Sequence, residues 1–400
     1  MGAQDRMSPF HHCTTPLLQH SRGPSMSSRR LLKIALACGG TGGHIFPGLA
    51  TAEELHRRGH EVVLWLAGRN VETPAVHGWT GPVITVRAEG LPSGFSMRGI
   101  RAGFKLIRAC LACRRKMRLS KPDVLLAMGS YASVGPVAAA LSLRVPVVLH
   151  EANVLPGRAV ALLSHWATAV AGCFEETRFY LKRKDLQLTG MPIRKELEEA
   201  AESKAGKAPS EDIFRVLVMG GSLGAHRLNE VASSALCALY REHPRLRVTH
   251  LTGFADEQAV TDAYRKAGLP ADVHAFMKDM TSLYASSHMA LCRSGAATCA
   301  ELSAFGVPSL LVPYPYATHD HQMANARAME KCDAADVVPE KDLSETWLME
   351  YLTGCLSNSD RLAKMRLGAR SRCGRSGTQA LADLVEQVGS AGAVSSNKKK

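Results

Sequence analysis

Leu31 to Cys38, Leu-Leu-Lys-Ile-Ala-Leu-Ala-Cys, followed by Gly39-Gly40-Thr41-Gly42-Gly43-His44 and then by Pro47 to Arg58, decides the fold. The first run is short, continuous and apolar, as a strand buried on both faces of a parallel sheet requires. The last has helical spacing, a proline near its first turn and Gly59 beyond its end. Glu61 to Leu66 reads as the next strand. Strand, glycine turn, helix, strand is a βαβ unit with its glycines where strand passes into helix.

The pattern returns roughly 180 residues later, where Phe214 to Met219 precedes Gly220-Gly221-Ser222-Leu223-Gly224 and a helical stretch from Ala225 to Tyr240. Gly39, Gly40, Thr41 and Gly43 align with Gly220, Gly221, Ser222 and Gly224. Further units lie between and beyond. Asp123 to Met128 leads into Gly129-Ser130-Tyr131, and Val145 to Leu149 into His150-Glu151-Ala152-Asn153. His288 to Cys292 leads into Arg293-Ser294-Gly295, a helix from Ala296 to Phe305 and a strand from Ser309 to Val312. Alternation of β and α over two similar halves predicts an α/β chain of two doubly wound, Rossmann-like domains facing a central cleft. Ligands of such sheets bind at the carboxyl ends of the strands, so the cleft is the expected site.

The 400 residues, 46% hydrophobic and 21% charged, fill two such domains and exclude a small disulfide-stapled scaffold or wholesale disorder. The expected division is a disordered extension over 1–30, a first domain over 31–195, a linker over 196–212 and a second domain over 213–360. C-terminal helices over 361–390, which could return to the first domain, and a polar tail over 391–400 complete it. Eleven cysteines are scattered without a paired framework, and the first thirty residues carry no apolar signal core, which together suit a reducing compartment. Cys110 and Cys113 have C-x-x-C spacing but no second pair, and read as thiols on a helix. The uncharged stretch Val124 to Leu143 has membrane-span length, yet Gly129, Ser130, Gly135 and Pro136 interrupt it and give it the pattern strand, loop, helix.

Glycines at strand-to-helix turns let a ligand approach the backbone, and the helix N-terminus beyond offers free N–H groups at a positive dipole end. Three such loops, each with a hydroxyl residue (Thr41, Ser130, Ser222), point to a diphosphate. Ile45 stands where a dinucleotide fingerprint needs its third glycine, and no Walker A motif occurs, so dehydrogenase, kinase and ATPase readings lose support. With 49 Lys and Arg against 36 Asp and Glu, the net charge is +13, which favours an anionic partner. No nucleic-acid motif accompanies that charge. The segment Arg98 to Lys121 has nine basic residues and no acidic one, and Ile100, Phe104, Ile107 and Leu111 form a helical stripe beside them. Two readings stay open: an amphipathic helix on an anionic membrane surface, or a helix with its stripe in the core and its arginines in water.

Taken in order, Gly39-Gly-Thr-Gly-Gly-His-Ile-Phe-Pro-Gly48, His150-Glu-Ala-Asn153, Gly190-Met-Pro-Ile-Arg194, Gly220-Gly-Ser-Leu-Gly-Ala225 and Arg293-Ser-Gly-Ala-Ala-Thr298 with Glu301 resemble the motif series of the MurG family. These are bacterial transferases that carry N-acetylglucosamine from UDP-GlcNAc to the C4 hydroxyl of the muramic acid sugar of lipid I, with inversion and without a metal. The resemblance implies the GT-B fold, UDP-GlcNAc and lipid I as partners, no cofactor, and a peripheral place on the cytoplasmic side of the inner membrane. It also implies site residues. Ser222 and the helix start Ala296, Ala297, Thr298, Cys299 and Ala300 would face the diphosphate, Glu301 the ribose, the Met277 backbone the uracil, and Gln322 the donor sugar. Arg194 matches a donor position too, while Thr41, Gly42, Gly43 and Asn153 would approach from the first domain. His319 and His321 could form a metal pair but lack a third ligand, and no D-x-D motif is present to hold a cation on the diphosphate.

Inversion needs a base beside the attacking hydroxyl. His44 and Glu151 are the two candidates, His44 because its imidazole accepts a proton near neutral pH. Another GT-B transferase or epimerase, and a non-catalytic nucleotide-sugar sensor, are the competing readings.

Overall fold

The computed structural model describes residues 30–40, 42–68, 76–86, 97–183, 185–203, 212–221, 224–317, 320–372, 374 and 376–397. The sequence expectations for 1–29, Thr41, Ser222, His319 and the last three lysines lie outside these residues, as do the side chains of 97–105.

The first lobe contains β1 (Lys33–Ala37), α1 (Gly42–Arg57), β2 (Glu61–Leu66), β3 (Val83–Thr85), α2 (Met97–Ser120), β4 (Val124–Ala127), α3 (Val134–Ser142), β5 (Val147–Glu151), α4 (Arg158–Leu163), β6 (Ala169–Gly172) and β7 (Leu186–Leu188). Its seven strands run in the order β3-β2-β1-β4-β5-β6-β7, each pair parallel. After α5 (Lys195–Ser203) the second lobe follows with β8 (Phe214–Met219), α6 (His226–Tyr240), β9 (Leu246–Leu251), α7 (Glu257–Ala267), β10 (Ala271–His274), α8 (Thr281–Ser286), β11 (Met289–Cys292), α9 (Ala296–Phe305), β12 (Ser309–Leu311), α10 (His321–Glu330) and β13 (Ala335–Val337). Its six parallel strands take the order β10-β9-β8-β11-β12-β13. The strand order reverses between β1 and β4 and again between β8 and β11, where a doubly wound sheet opens its ligand crevice. The loops after those four strands are Gly39–His44, Gly129–Tyr131, Gly220–Gly224 and Arg293–Gly295, the segments the sequence singled out.

Val124, Leu125, Leu126 and Ala127 are all fully buried, as a central parallel strand with helices on both faces demands. The uncharged stretch from Val124 to Leu143 is therefore β4, a short turn and α3, and no described helix is long and apolar enough to cross a membrane.

Three local expectations change. The helix expected from Pro47 begins at Gly42, so the glycine loop itself supplies its first turn and Pro47 sits inside it. Gly48 makes this packing possible: a Cβ there would lie 2.4 Å from the Cys38 side chain, so only glycine lets the helix press on β1. The linker expected over 196–212 opens with helix α5, whose Leu197 and Ala201, one turn apart, are buried in a cluster shared with both lobes. Within α2, Cys113 and Met117 form the buried face, whereas Ile107 and Leu111 are 57% and 60% exposed. A helix carrying apolar residues on two faces can bury either, and here the contact with α3 selects the cysteine face.

The last helices cross back. After α11 (Glu345–Leu356) and α12 (Ser359–Ser371), which pack on the second lobe, α13 (Gly377–Asn397) inserts Leu381, Ala382 and Val385 into the core of the first lobe. Arg58 donates to Asp383 at 2.6 Å, and His60 meets Glu386 at 2.9 Å. The crossing point is fixed beside the earlier one, since Thr378 Oγ1 donates to Ile193 O and Glu198 Oε1, both at 3.0 Å.

Candidate active site

His44 stands in the first turn of α1 with Nδ1 2.8 Å from the carbonyl oxygen of Met128, the residue after β4. A carbonyl only accepts, so Nδ1 carries the hydrogen and the lone pair is on Nε2. Burial lowers the pKa of His44, the Met128 bond works against that, and His321 of the other lobe lowers it further. The ring is thus biased to its neutral form, in the tautomer whose basic nitrogen is Nε2. Ser130, read as a ligand-facing hydroxyl, is instead occupied internally: it donates to Gly39 O at 2.6 Å and accepts from Ala132 N at 3.1 Å. It ties the two glycine loops of the first lobe together.

Glu151, at the end of β5, is buried, and both its oxygens are engaged. Oε1 accepts from Asn153 N at 3.0 Å and Asn153 Nδ2 at 3.3 Å, and Oε2 accepts from Gly157 N at 2.9 Å. Desolvation raises its pKa against these bonds. The side chain so engaged shapes the loop 152–157. Asn153 continues the chain of contacts, since its Oδ1 accepts from Asn325 Nδ2 at 3.0 Å. Asn325, fully buried on α10, also accepts from Val154 N at 3.0 Å and donates to Ser294 O at 3.2 Å. One amide therefore joins the loop after β5 of the first lobe to the loop after β11 of the second. Sequence reading missed Asn325, because an asparagine on a helix reads as solvated until tertiary packing covers it. His321 lies one turn earlier on the same helical face.

In the second lobe, Gly224 (φ 78°) would drive a Cβ to 2.3 Å from Thr252 O, so only glycine closes the loop around Gly220. Behind it, Asn229 donates to Thr252 O at 2.8 Å and to Asp256 at 2.7 Å, and meets His250 Nε2 at 3.1 Å. The helix α9 begins after Gly295 with no side chain capping it, so the first N–H groups at Ala296, Ala297 and Thr298 are presented at the cleft. Cys299 is buried behind them, and Ala300 is half-buried. Arg293 is buried and donates to Val312 O at 3.0 Å and Pro313 O at 3.2 Å, with Glu340 as its ion-pair partner.

Glu301 Oε2 accepts from the Tyr284 hydroxyl at 2.6 Å, which leaves Oε1 for an outside donor. Desolvation raises the Glu301 pKa, while the Tyr284 bond and Arg194 oppose it. Arg194 Nη1 donates to Lys278 O at 3.1 Å, next to Met277, which is half-buried at the end of β10. Arg194, Met277, Tyr284 and Glu301 thus gather on one side of the second lobe. Gln322 sits on the other side, with Oε1 accepting from Tyr314 N at 2.9 Å and its carbonyl accepting from Ser294 Oγ at 2.8 Å. Gly42, Gly43, His44, Glu151 and Asn153 all belong to the first lobe.

Comparison with known proteins follows this geometry. Residues 34–172 match the glycosyltransferase family 28 N-terminal domain, and residues 215–388 its C-terminal domain. A Geobacter metallireducens protein named UDP-N-acetylglucosamine–N-acetylmuramyl-(pentapeptide) pyrophosphoryl-undecaprenol N-acetylglucosamine transferase is 33% identical over 88% of this chain and 97% of its own. A Shewanella frigidimarina protein of the same name is 38% identical over 88% of this chain and 95% of its own. The crystal structure of Acinetobacter baumannii MurG superposes with a TM-score of 0.73 at 27% identity, over 89% of this chain and 99% of that one. A Neisseria meningitidis UDP-GlcNAc 2-epimerase shares the fold at TM-score 0.63 and 13% identity. Matched by family models across both lobes and by these relatives over nearly its whole length, the chain belongs to the MurG family of glycosyltransferases.

Proposed function

We propose that this chain transfers N-acetylglucosamine from UDP-GlcNAc to the C4 hydroxyl of the muramic acid sugar of lipid I, inverting the anomeric centre and releasing lipid II and UDP. The observation that carries the reading is His44, with Nδ1 spent on Met128 O, which makes Nε2 the basic nitrogen, and with His321 of the second lobe near enough to act on it. Nε2 takes the hydroxyl proton as that oxygen bonds to the anomeric carbon, and the bond from the carbon to the β-phosphate oxygen breaks with its electrons leaving on UDP. Charge growing on the diphosphate meets the N–H groups and dipole of α9 and the Gly220 loop, with Ser222 as a further donor. Glu301 Oε1 takes the ribose hydroxyls, the Met277 backbone the uracil, Arg194 the nucleotide side and Gln322 the sugar. Glu151 and Asn153 set the first-lobe loop. Residues 31–195 thereby serve the acceptor and the membrane, and 213–360 the donor.

The absence of a D-x-D motif supports a cation-free reaction. Incubation with UDP-GlcNAc and a lipid I analogue is expected to release UDP and form the disaccharide at equal rates with and without EDTA. Loss of turnover on chelation would overturn that part, and UDP release without a disaccharide would point to the epimerase or sensor readings.

Membrane attachment is proposed through α2. Ile107 and Leu111 stand in water, and Arg108, Arg114, Arg115 and Arg118 lie on the same helix. An apolar ridge among cations suits the headgroup boundary of an anionic bilayer, each charge contributing about 1 kcal/mol near the surface. On the cytoplasmic leaflet of the inner membrane this would bring the first lobe to lipid I, and place the chain in peptidoglycan synthesis, with cell shape and division depending on its product. Replacing Ile107 and Leu111 with serine is expected to abolish cosedimentation with phosphatidylglycerol vesicles at low salt while leaving turnover of a short-chain acceptor intact. Undiminished cosedimentation would remove α2 from this role.

A further inference from the structure

Beyond the carboxyl end of β12 the chain runs Pro313-Tyr314-Pro315-Tyr316-Ala317 on its way to α10. Tyr316 is 82% exposed and Tyr314 43%. Their rings meet edge to face, with centroids 5.7 Å apart and planes at 70°. Aromatic surface of this size ordinarily folds down onto the protein, because leaving it in water forfeits its burial. Here the segment is built to hold it up. The Arg293 guanidinium holds the carbonyls of Val312 and Pro313 and stacks 5.5 Å from the Tyr314 ring centroid. Gln322 Oε1 accepts from Tyr314 N at 2.9 Å, and two prolines fix φ on either side of Tyr314. The two rings form a pre-set platform rather than a floppy tip.

Its position narrows what can cover it. Met277 and Gly224, on the nucleotide side, belong to loops after β10 and β8, whereas the platform follows β12, on the far side of β11 from β8. Strands of a sheet are about 4.8 Å apart, so β12 stands roughly 10 Å from β8 and roughly 19 Å from β10, too far for its rings to stack on the base. Gln322, the donor-sugar residue, is directly attached to the platform through the Tyr314 N–H. The rings thus border the donor sugar, where the acceptor pyranose must come within bonding distance, and the C–H face of a pyranose is an apolar surface with a positive edge, matched to the negative face of an aromatic ring.

We propose that Tyr314 and Tyr316 are the second lobe's share of the acceptor subsite, stacking on the pyranose that carries the attacking hydroxyl. This rests on the transferase reading above and names a specificity contact for it.

The test uses the full chain, UDP-GlcNAc and a lipid I analogue with a short, water-soluble prenyl chain. Tyr316→Ala is expected to raise the acceptor KM about five- to tenfold, the loss of one ring contact, with the UDP-GlcNAc KM and thermal midpoint unchanged. Tyr316→Phe, which keeps the ring, is expected to restore the wild-type KM. A wild-type protein that transfers to no such acceptor overturns the functional reading and the platform with it. Wild-type transfer with an unchanged acceptor KM in Tyr316→Ala overturns the platform alone. So does a rise confined to the UDP-GlcNAc KM, or a loss of phosphatidylglycerol-vesicle binding with the acceptor KM intact, which would assign the rings to the donor or to the lipid surface.

Discussion

Replacing His44 with alanine is expected to lower kcat by about 10²- to 10⁴-fold, the usual contribution of a positioned base, while UDP-GlcNAc affinity stays near wild type. The affinity is spared because His44 belongs to the first lobe, whereas the groups assigned to the nucleotide are on the second or, for Arg194, at the crossing into it. The pH profile supplies a stricter check. Neutral Nε2 is the active form, and burial together with His321 puts the His44 pKa below the 6.5 of a free imidazole. Activity should therefore persist somewhat below that pH and fall as His44 protonates. Two titratable groups lie beside the ring. His150 is buried and held neutral with a pKa near 4, and the Glu151 carboxyl is pushed up by desolvation but tied to three N–H donors. His321→Gln removes the imidazole that lowers the His44 pKa from the other lobe, so that pKa should rise and the acid limb of kcat move to higher pH. A His44→Ala protein with near-normal turnover would end the assignment. An acid limb unmoved in His321→Gln would separate the two histidines.

The glycine loops were legible because each answers a local demand. A residue that must take positive φ, as at Gly224, or admit a backbone at van der Waals contact, as at Gly48, leaves no choice of side chain, so its position survives in the sequence. His44 was legible for the same reason, standing at the end of such a loop. The start of α1 was misplaced because Pro47 suggested a first turn, and proline inside a helix is tolerated where its neighbours fill the lost bond's place. Ser130 was read as a ligand-facing hydroxyl and Glu151 as a candidate base, and the partners they hold within the fold, Gly39 O and the N–H groups of Asn153 and Gly157, are set by loop closures that no spacing encodes. The apolar residues of α2 were visible, but which of its two faces is covered depends on α3 packing against Cys113 and Met117. Contacts between lobes were least legible of all. Leu197 and Ala201 of α5 looked like linker residues, and Asn325 drew no reading, because what buries each of them comes from across the two lobes.

That hidden asparagine gives the second large effect. Asn325→Ala should destabilise the chain by about 2–5 kcal/mol, because each buried donor or acceptor left without a partner costs about 1–3 kcal/mol. Three are stranded at once: Val154 N, Asn153 Oδ1 and Ser294 O. Val154 N and Ser294 O cannot turn to water, since Asn325, Ser294 and Val154 are all buried, whereas the half-buried Asn153 amide can recover part of its loss. The loss also reaches the chemistry. Ser294 precedes the start of α9, where the diphosphate is expected, and Asn153 is held by Glu151 at the end of β5, so the same amide sets the spacing between donor and acceptor loops. A shift of about 1 Å between reacting groups can cost 10²-fold in rate, so kcat should fall by about that factor even at temperatures where the protein stays folded. Asn325→Asp tests the geometry rather than the size of the side chain. It keeps an acceptor for Val154 N but sets a carboxylate against Asn153 Oδ1 and Ser294 O, so it should be no more stable than Asn325→Ala. Calorimetry should show the lobes unfolding in separate transitions once the clamp is gone, with α13 and the paired crossings at Ile193 and Thr378 as the contacts still joining them. A variant with an unchanged midpoint and unchanged kcat would mean that the seam is held by its apolar cluster alone, with Ala152, Val154, Met191 and Ile193 against Leu217, Cys292 and Leu302.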